Sequence, residues 1–154
     1  MPNRKKVLVI GQTPPPYGGQ AMMTQRLIDA EFEGLETFHV RMNFSKDVKS
    51  IGKFAFSKIF HLVQVVKQSI RIAKKQQIST LYYMPVGNSM VPLIRDILIL
   101  LLIRPFFSEF IFHFRAAGAC LFVEKQGTLL KKLARYVYRN PDLAIHLSSN
   151  NPDD

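Results

Sequence analysis

One short apolar run near the start of the chain restricts its possible folds more than any other feature. Residues 6–11 read Lys-Val-Leu-Val-Ile-Gly, a continuous apolar segment that ends at a turn residue. A strand with one exposed face alternates apolar and polar residues, whereas a strand buried on both faces is apolar throughout. The run therefore predicts an inner strand of a parallel sheet.

Segments typical of strands and helices alternate along the rest of the chain. Further strands are predicted at residues 35–44, 79–85, 109–114 and 142–147, and helices at 21–30, 53–77, 90–103 and 127–139. Strands separated by helices pair in parallel through right-handed crossovers. The expected fold class is α/β, a Rossmann-like doubly wound parallel sheet. We expect one domain at residues 1–150 and a tail or interdomain linker at 151–154.

Cysteine content and hydropathy indicate in which cellular compartment the protein works and whether it spans a membrane. The single cysteine, Cys120, excludes a disulfide scaffold and a cysteine-based zinc site, and it fits a reducing compartment. The most hydrophobic stretch, residues 97–103, is closed by Asp96 and Arg104 and is far shorter than the ~20 residues of a membrane span. We therefore expect a cytoplasmic protein in which this stretch is a buried helix.

Positive charge is concentrated in one part of the chain. Lysine and arginine number 21 against 11 acidic residues, a formal net charge of +10. The stretch at 41–75 contains many basic residues and a single acid, Asp47. A field of this sign attracts nucleic acid, anionic lipid or phosphorylated substrates. Because the sequence has no helix-turn-helix, RNP or zinc motif, we do not expect a nucleic-acid partner.

The predicted helix at 53–77 is amphipathic. Its apolar residues recur at helical spacing, at Ile59, Leu62, Val63, Val66, Ile70 and Ala73. Basic residues flank that face and are the membrane-contact candidates: Lys53, Lys58, Lys67, Arg71 and Lys74. On one interpretation the helix lies on anionic lipid. On the other, the apolar face packs on the sheet and the lysines face water. Both can hold together.

The loop after the first strand is a candidate phosphate site. Residues 11–20 read Gly-Gln-Thr-Pro-Pro-Pro-Tyr-Gly-Gly-Gln and lead into a predicted helix, whose free N–H groups suit phosphate. The loop matches neither G-x-G-x-x-G nor G-x-x-x-x-G-K-[ST], so a dinucleotide oxidoreductase and a P-loop NTPase are both disfavoured. A rigid connecting loop is the alternative interpretation.

This segment, residues 6–19 with Arg26-Leu27 downstream, resembles the start of GT-B glycosyltransferases of family 4. These are the "group 1" retaining enzymes of bacterial polysaccharide and glycolipid synthesis. The resemblance implies that the chain is one half of a GT-B fold, the acceptor-side N-terminal domain. It places Gly18 and Gly19 near the donor diphosphate. The acceptor-binding candidates are Tyr17, Gln20 and Asn88.

The segment after the fourth predicted strand, Phe-Ile-Phe-His-Phe-Arg at 110–115, partly matches a His-x-His-Gly pattern of that family. His113 matches the first histidine and is the catalytic candidate, or else an ordinary strand histidine. Arg115 departs from the pattern, but its guanidinium suits a phosphate. In a third loop, Ser89 or Asn88 fits a helix cap. Arg95-Asp96 just beyond it is expected to be a structural ion pair.

The resemblance implies a retaining transfer from a nucleotide-diphospho-sugar to a hydroxyl of a lipid-linked or polysaccharide acceptor in cell-envelope glycan synthesis. The expected partners are that donor, the acceptor, an anionic membrane surface at the inner face of the cytoplasmic membrane, and a C-terminal donor domain. No metal or other cofactor is expected. The E-x7-E element of such enzymes is missing, since Ala117 and Lys132 stand eight residues beyond Glu109 and Glu124. The chain alone is therefore expected to be inactive. The alternative is a non-catalytic half-domain that binds acceptor or a partner protein and needs a separate donor-binding subunit.

Overall fold

A five-stranded parallel sheet forms the centre of the molecule. The computed structural model describes residues 4–42, 44, 56–85, 89–115 and 118–146. The strands are β1 (Lys5–Gly11), β2 (Leu35–Arg41), β3 (Thr80–Tyr83), β4 (Glu109–His113) and β5 (Leu143–Ile145). They lie in the order β2-β1-β3-β4-β5, and every neighbouring pair is parallel. The predicted fold class is confirmed, and the apolar run at 6–11 forms an inner strand.

Helices cover both faces of the sheet. They are α1 (Gly19–Asp29), α2 (Phe56–Gln76), α3 (Met90–Ile103), α4 (Ala119–Glu124) and α5 (Thr128–Tyr138). Leu27 of α1 packs on one face, against Val9 and Tyr82. The other face carries the larger core, in which Leu8 and Phe112 are packed with residues of α2, α3 and α5. The helices divide in this way because right-handed crossovers running in opposite directions fall on opposite faces.

Several predicted boundaries were wrong. Helix α1 begins at Gly19 rather than at residue 21, so Gly19 and Gln20 belong to the helix and not to the loop. The short helix α4 and a 3-10 turn at Arg104–Phe106 were not predicted. Helix α4 follows Gly118, whose φ of 80° favours glycine. The tail or interdomain linker predicted at 151–154 lies outside the described residues.

Four of the six apolar residues predicted to form the buried face of α2 do pack on the core, and the other two do not. Val65 and Ser69 are buried, whereas Ile59 and Val63 are exposed. Ser69 can be buried because its hydroxyl donates a hydrogen bond to the Val65 carbonyl oxygen at 2.7 Å. The stripe that packs on the core therefore keeps most of its predicted residues, gains Val65 and Ser69, and excludes Ile59 and Val63.

The apolar helix α3 is a core element on one side, as predicted, but Leu98 and Leu102 on its other side are 43% and 52% exposed. Its buried residues include Ile99, Leu100 and Ile103. Asp96 is fully buried, and its Oδ1 accepts hydrogen bonds from Arg95 at 2.6 Å and from the Tyr83 hydroxyl at 2.8 Å. The predicted structural ion pair is thus confirmed. Within the described part of the chain, no helix is both long enough and apolar enough to cross a bilayer.

Candidate functional site

The candidate site lies at the carboxyl edge of the sheet. From β1 the chain crosses to β2 on one side, and from β2 it returns to β3 on the other side of β1. The chain thus changes direction between β1 and β3, and open α/β sheets bind ligands at such a point. The loops after β1 and β4 carry most of the predicted site residues. These loops leave strands that are separated by β3 alone.

Arg41, at the end of β2, holds the proline loop from the side. Its Nη2 donates hydrogen bonds to the carbonyl oxygens of Pro14 at 2.8 Å, Pro15 at 2.9 Å and Thr13 at 3.3 Å. A guanidinium can meet several carbonyls because its donors are fixed in one plane. The loop is therefore anchored to the end of the neighbouring strand, an interaction that the sequence did not reveal.

Gly11 permits the close approach of α1 to the sheet. A Cβ at this position would lie 2.9 Å from Thr24 Cγ2 and 3.1 Å from Met84 Cε. The Thr24 hydroxyl donates to the Gln20 carbonyl oxygen at 2.8 Å and contacts Met84 Sδ at 3.3 Å. Gly11 is therefore required by packing, which fixes where the N-terminus of α1 stands.

Gly18 and Gly19 differ from Gly11 in this respect. A Cβ at either residue would meet no atom within 4 Å, and Gly18 has an ordinary extended backbone with φ of −144°. Packing therefore requires neither glycine, and the space that a side chain would take at either residue is open. Beside them, Tyr17 is 76% exposed. Gln20 buries its side-chain nitrogen Nε2 without a hydrogen-bond partner.

His113 ends β4 beside a tyrosine that sequence reasoning missed. The Tyr82 hydroxyl oxygen lies 2.5 Å from His113 Nδ1, and the two rings meet edge to face. Burial, together with the nearby Arg115 guanidinium, lowers the pKa of His113 below 6.5. Burial raises the pKa of Tyr82 above 10.0. Near neutral pH both groups are therefore uncharged, next to the cationic Arg115.

The structure brings some of the predicted residues together and separates others. Gly18, Gly19 and Gln20 share the N-terminus of α1, while His113 and Arg115 share the end of β4. Asn88 and Lys53 lie outside the described residues, as does the side chain of Lys58. Lys67, Arg71 and Lys74 are exposed on α2. They lie on a helix whose other side packs on the larger core.

We found no group of three or more metal-ligating side chains among the described residues that could hold a metal ion. His39, beside the proline loop, uses its Nε2 on the Gly11 carbonyl oxygen at 3.2 Å. Burial lowers the pKa of His39 below 6.5, and this shift outweighs the opposing effect of that hydrogen bond. The site as described therefore offers N–H groups, a guanidinium and a neutral imidazole.

No family model matches the chain, and no curated protein matches it. Among solved structures, the crystal structure of MurG from Acinetobacter baumannii superposes with a TM-score of 0.44 at 12% sequence identity. The superposition covers 98% of this chain and 43% of the MurG chain, so the chain spans less than half the length of that protein. A likeness at this level carries no argument about activity.

Proposed function

We propose that the chain is the acceptor-side half of a retaining GT-B glycosyltransferase of the family 4 type. It would act in the transfer of a sugar from a nucleotide-diphospho-sugar to a hydroxyl of a lipid-linked or polysaccharide acceptor. The observation that carries the proposal is the N-terminus of α1 directly after the Pro-Pro-Pro-Tyr-Gly-Gly loop, with open space at its two glycines, at the carboxyl edge of a parallel sheet.

The site offers groups suited to a diphosphate leaving group. The first N–H groups of α1 have no partner within the helix, and the helix dipole favours negative charge there. Glycines at 18 and 19 leave room for a ligand to reach those N–H groups. Arg115 adds a fixed positive charge from the β4 side. Such donors stabilise the charge that develops on the leaving diphosphate in the transition state.

His113 suits a polar contact with the sugar or acceptor. Because its imidazole is neutral and Nδ1 is paired with Tyr82, Nε2 is the nitrogen left for a ligand. We propose Tyr17 and Gln20 as acceptor contacts beside it, since Tyr17 is exposed and Gln20 keeps an unpaired side-chain nitrogen. Asn88 stays a proposed contact on the sequence alone.

The experiment begins with the reading frame beyond Asp154. A second α/β pattern with an E-x7-E element is expected there or in a neighbouring gene. The assembled protein is then assayed for release of nucleoside diphosphate from a panel of nucleotide sugars, with bacterial lipid extract as acceptor. Gly19→Ala and His113→Ala should each lower the rate at least tenfold. Leu129→Ala, at a residue 73% exposed, is the control. Full activity of both site variants would refute the assigned site.

Contact with an anionic membrane surface is a further part of the proposal. Ile59, Phe60 and Val63 are exposed at the start of α2, and Lys67 and Arg71 follow on the same side at four-residue spacing. An exposed apolar tip next to cations suits an anionic bilayer.

Cosedimentation with phosphatidylglycerol vesicles tests this contact. Replacing Lys67, Arg71 and Lys74 by Gln should release the protein from the vesicles. Replacing Arg4, Arg26 and Lys132 removes the same charge elsewhere and should have a smaller effect. Equal loss of binding in the two triple variants would show that net charge alone, rather than α2, holds the protein on the vesicles.

A non-catalytic half-domain is the second candidate function. It is favoured by the pairing of the two glutamates nearest in sequence to the site. Glu124 binds Lys131 and Arg135, while Glu109 binds Lys5 and Thr80. Nucleoside diphosphate release by the chain alone would count against this candidate. Activity that appears only with a separate donor-binding subunit would support it.

A further inference from the structure

An apolar cavity of about 420 Å³ lies beside the candidate site, between the carboxyl ends of β3 to β5 and the helices α4 and α5. Its lining includes Leu93, Phe114, Phe122, Val123, Ala134 and Tyr138. Among the described residues that line it, two carry charge, Glu124 and Arg135. Ligand pockets typically measure about 300–1,000 Å³ and are mainly apolar with a few polar groups. We infer that this cavity binds the hydrocarbon chain of a single-chain anionic amphiphile.

The volume limits what can enter. A methylene group takes about the volume of a water molecule, roughly 30 Å³, so the cavity holds a chain of about a dozen carbons. Burying such a chain removes its methylene groups from water, which favours binding. One alkyl chain therefore fits.

The charged groups at the cavity favour an anionic head. Glu124 is bound by Arg135 at 2.7 Å and by Lys131 at 2.8 Å, so two cations share one carboxylate. The Arg135 side chain is 66% exposed and can reorient towards a carboxylate or phosphate at the opening. The cluster carries a net positive charge, which repels a cationic head. This binding requires neither a nucleotide nor a sugar and goes beyond the proposed function.

Cys120 provides a direct readout of occupancy. It lines the cavity, is exposed, and is the single cysteine of the chain. The rate of its alkylation by iodoacetamide is measured with and without laurate below the micelle-forming concentration. Saturating laurate should slow alkylation at least tenfold. Unchanged alkylation at every laurate concentration would overturn the inference.

Two variants fill the cavity. Ala144→Phe adds a ring from a cavity-lining position of β5, and Ala119→Leu adds a side chain from α4. Leu143→Phe is the matched control, because neighbouring strand residues point to opposite faces and Leu143 is not part of the lining. Laurate should protect Cys120 in the control but not in the filled variants. Circular dichroism selects the filled variants that are folded, and protection that persists in them would refute the site.

The charge of the ligand's head group is tested with a cationic amphiphile. Dodecyltrimethylammonium carries an equally long chain with opposite charge, and it should bind at least fivefold more weakly than laurate. Equal binding would overturn the assignment of an anionic head.

Phosphatidylglycerol vesicles test whether a membrane, rather than a single amphiphile, protects Cys120. If vesicles protect Cys120 equally in wild type and in Ala144→Phe while laurate does not protect it, the surface around α4 contacts a membrane and the cavity is not the site.

Discussion

The Tyr82 hydroxyl oxygen and Nδ1 of His113 lie 2.5 Å apart, on adjacent strands of the sheet and on the face that α1 covers in part. The contact joins residues 31 positions apart in sequence. It occupies one nitrogen of the imidazole and leaves the other for a ligand. Arg115, just beyond the strand, acts electrostatically on both residues. The charge of Arg115 therefore affects the pKa of both His113 and Tyr82.

Replacing Arg115 by Gln should raise the pKa of His113. The Arg115 guanidinium disfavours the imidazolium, so its removal makes protonation easier, while the opposing effect of burial remains. NMR titration of the four histidines measures the change. Arg139→Gln is the control, because the Arg139 guanidinium lies over the Tyr136 ring at 4.3 Å and does not act on His113. An unchanged His113 pKa in Arg115→Gln would contradict the described proximity.

Stability should fall as the pH drops from 7.5 to 5.5. Burial lowers the pKa of His39, His61 and His113 below 6.5. As the pH falls below 6.5, these histidines become protonated in the unfolded chain but stay neutral in the folded chain. Protonation therefore favours unfolding, and stability falls until the pH reaches the lower pKa values of the folded state. Ending at pH 5.5 keeps the glutamates outside their own titration, whose reference pKa is 4.5.

Thermal unfolding measures this dependence, with Tm changing by about 2–4 °C for each kcal/mol in a chain of this size. His39→Gln removes one of the groups and should make the fall in Tm smaller. A Tm that is the same at both pH values, or one that rises on acidification, would contradict the lowered pKa values.

Arg41→Ala should loosen the proline loop and cost about 1–3 kcal/mol of unfolding free energy, because one guanidinium satisfies three carbonyl oxygens. Arg41→Lys should restore part of this, since an ammonium group lacks the planar fork. Urea unfolding measures the cost, and amide exchange at Tyr17 and Gly18 reports the loop. Faster exchange at these two amides with unchanged exchange in α5 is expected. Equal amide exchange at Tyr17 and Gly18 in wild type and Arg41→Ala would show that Arg41 does not stabilise the loop conformation.

The sequence predicted elements whose apolar pattern is continuous. The first strand is an example, because a strand buried on both faces is apolar at every position, here from Val7 to Ile10. Helix 90–103 was also predicted, but its apolar residues continue onto an exposed side, at Ile94, Leu98 and Leu102. Ser69 shows where pattern reasoning fails. It is polar, yet its hydroxyl bonds to its own helix, so it enters the core and shifts the buried stripe of α2.

The sequence likewise predicted some residues of the candidate site and missed others. The proline loop and His113 stand out as motifs, whereas Tyr82 is one of two adjacent tyrosines in a short buried strand. Tyr82 meets His113, while Tyr83 bonds to Asp96 in the larger core on the opposite face. Strand alternation separates the two tyrosines, but it does not say which one reaches a functional partner.

Alanine substitutions at Gly11 and Gly19, on either side of the proline loop, should have opposite effects on stability. At Gly11 the new Cβ meets Thr24 at 2.9 Å and Met84 at 3.1 Å, so α1 must shift, and the expected cost is about 1–3 kcal/mol. At Gly19 the Cβ meets open space within a helix, where alanine is favoured over glycine by up to about 1 kcal/mol.

Urea unfolding of Gly11→Ala and Gly19→Ala compares the two directly, and Gly34 provides a third case. Its φ of 76° strains any side chain although space is free, so Gly34→Ala should also destabilise the protein. Because Gly19→Ala is expected to keep the fold intact, loss of nucleoside diphosphate release in that variant would report on the ligand rather than on stability. Destabilisation by Gly19→Ala equal to that of Gly11→Ala would mean that α1 packs more closely on its surroundings than described.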